Sequence, residues 1–211
     1  MIKEEKSLLI NIDENLDEST NLAQELYLKG GIFIYPTDTI YGFGGNPFNE
    51  ETLKKISIVK GKTEWRRYIF LVSDIEILKN YVDLTSEKHL DFLLSIWPNP
   101  VSVVLRLNEQ YREILNLETG AFRIPNHRFC LKLLKEINMP LISTSVNRTG
   151  KEPLNDPSMI IQEFSQEVDA VFYSEKRSFF EASTLIDLSG DEPKLLREGR
   201  IKFVDLINKL S

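Results

Sequence analysis

The chain has 211 residues, 42% of them hydrophobic and 27% charged, with 26 basic against 32 acidic side chains for a net charge of −6. These are the proportions of a water-soluble globular protein with room for one sizeable core, and the acidic balance argues against nucleic-acid binding over the whole surface, though not at a local basic site. Cys130 is the single cysteine and His89 and His127 the two histidines, which excludes an internal disulfide and leaves neither a multi-cysteine zinc site nor a histidine metal cluster to expect.

The N-terminal stretch MIKEEKSLLINIDENLDEST is rich in acids and has no long apolar core, so it fits neither a secretory leader nor a mitochondrial presequence. No run approaches the roughly 20 apolar residues that cross a bilayer. A cytoplasmic protein without membrane contact is expected. The sequon Asn147-Arg148-Thr149 then has no secretory route and reads as chance.

In chain order, Ser19 to Leu28 has helical spacing and stops at Gly30-Gly31, a helix C-terminus. Ile32 to Tyr35 reads as a buried strand, Glu50 to Val59 as a helix and Tyr68 to Val72 as a strand. Ser86 to Trp97 is helical in pattern, Val101 to Leu107 is a β-branched strand run, and Ala121 to Ile124 is a short strand. Phe129 to Ile137 predicts a helix and Leu141 to Thr144 a strand. Asp156-Pro157 sets a capping acid before an N1 proline, predicting a helix from Pro157 towards Phe164. Ala170 to Tyr173, Ser183 to Asp187 and Lys194 to Leu196 read as the last strands. Helices mixed with strands around a single open, twisted mixed α/β sheet is the architecture expected, in one domain over residues 1–211, since no repeat or linker interrupts the chain.

Four stretches carry candidate chemistry. In FIYPTDTIYGFGG, Phe33 to Gly45, a buried strand ends in hydroxyls, a carboxylate and three glycines, more than a turn requires. KKISIVKGKTEWRR, Lys54 to Arg67, concentrates cations in an acidic chain, though a solvated helix face has the same composition. Gly61-Lys62-Thr63 copies the end of a P-loop, but Ile56 stands where that motif needs glycine and the preceding segment is helical, so the P-loop reading fails. STSVNRTG, Ser143 to Gly150, is a second polar loop at a strand end, equally consistent with a self-bonded turn. Arg123, Ser183-Thr184 and Arg197 add cations and hydroxyls at further strand ends, where open α/β sheets bind ligands.

These blocks, YPTDTIYGFGG, Lys60-Gly61-Lys62, STSVN, ASTLIDL and LLREG, occur in the order found in the YrdC-like L-threonylcarbamoyladenylate synthases, which the chain resembles over roughly residues 20 to 202. The resemblance implies an open twisted sheet around a concave, basic cleft. It also implies an enzyme, a nucleotidyltransferase, that makes threonylcarbamoyl-AMP and pyrophosphate from L-threonine, bicarbonate and ATP with Mg2+. A downstream tRNA threonylcarbamoyl transferase would use the product in tRNA modification. On this resemblance Lys60 and Lys62 are catalytic; Lys62, Arg66, Thr119, Ser143, Ser145, Asn147 and Arg197 bind ATP; and Thr39, Arg123 and Ser183 bind threonine, with no protein metal ligand. Catalysis would rest on positioning and electrostatics, because a carbamate and a triphosphate repel each other and no Ser-His-Asp or Cys-His set is present.

The chain departs from the family at Lys62, where arginine is usual, and at TEWRRYIF, which is bulkier and more basic than the usual proline-containing connection. It ends soon after REGRIKF, as the short form without a C-terminal domain does. Two other readings compete. One is a non-synthesising relative that contacts RNA through the basic cleft. The other is a carbamoyl-transfer module, whose usual Cys-x-x-Cys zinc fingers are missing here.

Overall fold

The computed structural model describes residues 7–61, 68–84, 86–176 and 181–209. The chain opens with strand β1 (Leu8–Asn11) and helix α1 (Leu16–Leu28). Asn15 caps α1 by accepting from the Glu18 N–H at 3.2 Å, so the helix starts three residues before the expected Ser19. Gly30, at φ +72°, takes the left-handed turn beyond its end. Strands β2 (Phe33–Tyr35) and β3 (Gly42–Gly44) bracket the polar loop, and α2 (Glu50–Lys60) runs from the Asn49 cap to Gly61 at φ +65°. Gly61 therefore ends a helix, which accounts for its place before Lys62 without any phosphate loop.

The remaining elements are β4 (Ile69–Leu71), α3 (Ile75–Lys79), α4 (Glu87–Ile96), β5 (Val101–Arg106), α5 (Glu109–Leu115), β6 (Thr119–Arg123), α6 (Arg128–Ile137), β7 (Leu141–Ser145), α7 (Pro157–Phe164), β8 (Ala170–Tyr173), β9 (Thr184–Asp187), β10 (Lys194–Arg197) and α8 (Phe203–Ile207). The Asp156 cap and N1 Pro157 of α7 stand as expected. Beyond the expected elements stand β1, β3, α3, α5 and α8, all seven residues or fewer, too short for a helical or alternating pattern to emerge from the sequence. The β3 segment is the informative case. Its glycines carry no hydrophobic alternation, yet it pairs antiparallel with both β2 and β7.

Among the described residues ten strands form one mixed sheet in the order β1-β8-β2-β3-β7-β4-β6-β5-β9-β10. Strand β1 pairs parallel with β8, β8 with β2, β4 with β6 and β5 with β9, and the other neighbours are antiparallel. Alternate side chains feed two cores. On one face, Ile34, Phe43, Phe70, Val103, Phe122, Ile142 and Val171 join Leu53 and Ile56 of α2, Phe92 of α4 and Phe164 of α7. On the other, Phe33, Tyr35, Leu71, Leu141 and Phe172 pack under Ala23 and Tyr27 of α1 and Phe129, Leu133 and Leu134 of α6. Burying each such Leu or Phe contributes roughly 1.5–3 kcal/mol.

That second face is only partly covered. The register aligns Ala121 of β6 with Ile69 of β4, and Ile69 with Ser143 of β7, while Ser145 pairs with Gly42. Thr119, Ala121 and Arg123, two apart on β6, share that face with Ile69, Ser143 and Ser145. Of these, Thr119, Ala121, Ile69 and Ser145 are half-buried, whereas Phe70, Phe122 and Ile142 on the opposite face are buried. Helices α1 and α6 thus close the face over β2 and β8 and leave it open over β7, β4 and β6.

Candidate active site

Along this open stretch of sheet a cavity of about 130 Å³ is lined by Thr39, Tyr41, Arg123, Ser143, Ser183 and Arg197, among others. These residues are up to 158 positions apart, from Thr39 to Arg197, and the sheet order brings them together. A larger cavity, about 720 Å³, is lined by Thr37, Asp38, His127, Arg128, Lys176 and Arg200, among others. Of the sequence-predicted site residues, Thr39, Arg123, Ser143, Ser145, Ser183 and Arg197 line the smaller one, and Lys60, Thr119 and Asn147 do not.

The loop after β2 fixes the polarity of Thr39. The Thr37 hydroxyl donates to the Ile40 carbonyl at 2.8 Å and accepts from the Thr39 N–H at 3.0 Å. Its remaining contact with Thr39 Oγ1, at 2.9 Å, must then be donated by Thr39. Arg123 Nη1 donates to Thr39 Oγ1 at 2.9 Å. The Thr39 hydroxyl is left with one lone pair, so towards a ligand it is an acceptor.

Arg123, 3% exposed, stands at the end of β6 beside Asp38, 6% exposed, with Nη2 3.6 Å from Asp38 Oδ1. Both Asp38 oxygens and Arg123 Nε are buried without a hydrogen-bond partner among the described residues. Buried charged groups left so are costly, and an unpaired guanidinium N–H beside a cavity is suited to a ligand carboxylate. Arg200 Nη1 donates to the Asp38 carbonyl at 2.9 Å, tying the chain after β10 to this loop.

Across the cavity, Ser183 precedes β9. Arg197 Nη2 donates to the Ser183 carbonyl at 2.9 Å and to its Oγ at 3.4 Å, and Ser102 Oγ of β5 lies 2.8 Å from Ser183 Oγ. Burial and the nearby Arg123 lower the pKa of Arg197, as two guanidinium groups sharing one site must. An anion between them relieves that repulsion.

Lys60 closes α2 and is 3% exposed. Its ammonium donates to Asn147 Oδ1 at 2.9 Å, to the Asn147 carbonyl at 3.2 Å and to the Ser145 carbonyl, and lies 5.3 Å above the Phe43 ring. Ser145 Oγ donates to Asn147 Oδ1 at 2.7 Å. Lys60 therefore organises the loop after β7. Thr119 lies on the same face as Arg123 but at the other end of β6, about 13 Å away along the strand at ~3.3 Å per residue, outside the lining of the small cavity. Lys62 and Arg66 lie outside the described residues.

Two of the glycines in the Phe33–Gly45 stretch make room for protein side chains. A Cβ on Gly44 would come within 2.7 Å of the Phe33 and Tyr35 rings, and one on Gly45 within 2.4 Å of Thr52 Cγ2. The polar lining of the cavity comes from hydroxyls, Arg123 and Arg197.

Cys130 is fully buried, burial pushes its thiol pKa up, and it offers no nucleophile. Among the described residues no group of three or more His, Cys, Asp or Glu side chains is placed to hold a metal, and none of the helices is long and apolar enough to cross a membrane. Sequence reasoning left Asp38, Ser102 and Arg200 without a role. Asp38 was visible as the lone carboxylate of the loop, whereas nothing in the β-branched run of β5 marks Ser102.

A family model for Sua5, YciO and YrdC proteins, described as telomere recombination, matches residues 25–199, and the chain belongs to this family. A threonylcarbamoyl-AMP synthase of Pyrococcus abyssi (strain GE5 / Orsay) is 26% identical over 203 residues, 95% of this chain and 60% of that protein. The crystal structure of P. abyssi Sua5 complexed with L-threonine matches with a TM-score of 0.84 at 25% identity, covering 97% of this chain and 60% of that one. E. coli YciO matches with a TM-score of 0.82 at 23% identity, over 93% of this chain and 97% of its own. The chain thus spans about 60% of the length of the curated relative, and its fold is the mixed α/β fold of Sua5 and YciO.

Proposed function

We propose that this chain, as one YrdC-like domain over residues 1–211, is an L-threonylcarbamoyladenylate synthase. It would make threonylcarbamoyl-AMP and pyrophosphate from L-threonine, bicarbonate and ATP. The observation that carries the reading is the small cavity in which Thr39 offers an acceptor while Arg123 offers buried donors. That pattern complements an amino acid, whose ammonium and hydroxyl donate and whose carboxylate accepts. A P. abyssi threonylcarbamoyl-AMP synthase among the relatives, and a family member crystallised with L-threonine, support the choice of threonine.

In this reading Thr39, Arg123 and Ser183 hold threonine. The nucleotide lies along the open face of the sheet, with Ser143, Ser145, Asn147, Thr119 and Arg197 as its polar partners, Lys60 as the organiser of the loop, and Lys62 and Arg66 as further cations. The threonine amine reacts with bicarbonate to give the carbamate and water. A carbamate oxygen then attacks the α-phosphorus of ATP, a P–O bond forms to the carbamate, and the bond to the β-phosphate breaks to release pyrophosphate. No side chain forms a covalent intermediate. The cations offset the repulsion of two anions brought together.

The oxygens around Lys60, the Ser145 and Asn147 carbonyls and Asn147 Oδ1, already accept from its ammonium, whose charge repels a second cation, so magnesium would come only as the companion of ATP. The product would serve a tRNA threonylcarbamoyl transferase, and the protein would work in the cytoplasm. The test is incubation of the protein with threonine, bicarbonate, magnesium and ATP, followed by mass detection of threonylcarbamoyl-AMP. Product that requires both threonine and bicarbonate is expected; folded, ATP-binding protein that forms none would overturn the reading.

A further inference from the structure

Ser183 lines the small cavity, and a side chain outside that cavity decides which way its proton points. Ser102, on β5, has no exposed surface, and its Oγ has Ser183 Oγ, at 2.8 Å, as its hydrogen-bond partner. A serine hydroxyl has one proton to give and two lone pairs. If Ser183 donated to Ser102, the Ser102 proton would be buried without an acceptor among the described residues, the costlier of the two ways to leave the pair. Arg197 Nη2, which can only donate, also approaches Ser183 Oγ, at 3.4 Å. With Ser102 and Arg197 both donating, the two lone pairs of Ser183 are occupied and its own proton is free.

We propose that Ser102 is a positioning residue for substrate recognition: by donating to Ser183 it turns the Ser183 hydroxyl into a donor aimed into the cavity, towards the carboxylate of the amino-acid substrate. The inference rests on the proposed function and deepens it. It divides the work of the pocket. Thr39, whose proton is committed to Thr37, accepts from the ammonium or hydroxyl of the substrate, while Ser183 and Arg123 donate to its carboxylate. A serine and a threonine with the same functional group are thus set to opposite polarities by their neighbours.

Calorimetric titration of L-threonine and, separately, of ATP into the wild type, S102A, S183A, S102A/S183A and S102T tests this. S102A removes one buried oxygen and leaves the β5 backbone pairing intact. Expected is a rise of about tenfold in the threonine Kd for S102A, the effect of one misdirected hydrogen bond to a charged group. The double variant is expected to bind threonine no more weakly than S183A, S102T to restore affinity by returning the donor, and ATP affinity to stay at the wild-type value in S102A and S102T. Unchanged threonine affinity in S102A, or losses that add in the double variant, would overturn the inference while leaving the proposed function standing. Wild-type protein that binds ATP but not threonine would overturn both.

Discussion

The Arg123 guanidinium lies 3.6 Å from the Asp38 carboxylate, both residues are buried, and neither Asp38 oxygen accepts a hydrogen bond from the described residues. Removing one member of such a pair leaves the other charge without compensation, at a cost of about 3–5 kcal/mol. Chemical denaturation of R123A and D38A is therefore expected to show losses of this size, and the double variant to recover part of the sum. R123A is also expected to raise the threonine Kd at least about tenfold, by removing the donors for the carboxylate. A double variant with fully additive losses would show that the two charges do not interact.

Lys60 joins the end of α2 to the loop after β7 through Asn147 and the Ser145 carbonyl. K60A is expected to lower both the unfolding midpoint and ATP turnover, the latter by about two orders of magnitude if the loop is the nucleotide platform. The exposed Lys54, on the same helix, serves as the control, and K54A is expected to match the wild type. Equal behaviour of the two variants would remove Lys60 from the site.

Gly44 is packed under two aromatic rings, 2.7 Å from the place of a Cβ. Gly44→Ala is expected to cost about 1–3 kcal/mol by overpacking. Because the glycine faces protein and not ligand, threonine affinity measured below the unfolding temperature should be unchanged. A variant of wild-type stability that lost threonine binding would place this glycine against the ligand instead.

Burial lowers the pKa of His127 below its ordinary 6.5; Asp38 and Asp13 act in the opposite sense, Arg123 and Lys176 in the same sense. The folded state thus favours the neutral ring, and below pH 6.5 the unfolded state binds more protons. The stability tied to His127 is present above pH 6.5 and lost as pH falls through the folded value. Melting temperatures followed from pH 7.5 to 5 should fall less steeply for H127N than for the wild type; parallel curves would assign the acid sensitivity elsewhere.

The long elements and the candidate residues were legible because their physics is local. Asp156-Pro157 announces α7 by its own capping chemistry, the Phe129 to Ile137 spacing lays one apolar face on a helix, and the resemblance picked out Thr39, Arg123, Ser183, Ser143 and Arg197, which line one cavity. Strand β3 was illegible because Gly42 and Gly44 have no side chains to alternate, and its place depends on Phe33, Tyr35 and Ser143 from neighbouring strands. The same holds within the site. The order of amino acids is enough to say which functional groups the chain possesses and which belong to the family pattern. Folding is what sets Asp38 opposite Arg123, turns Lys60 towards a carbonyl loop, and makes Thr39 accept where Ser183 donates. A hydroxyl or a charge has no direction until its neighbours use up its protons and lone pairs, and those neighbours come from strands adjacent only in the folded sheet.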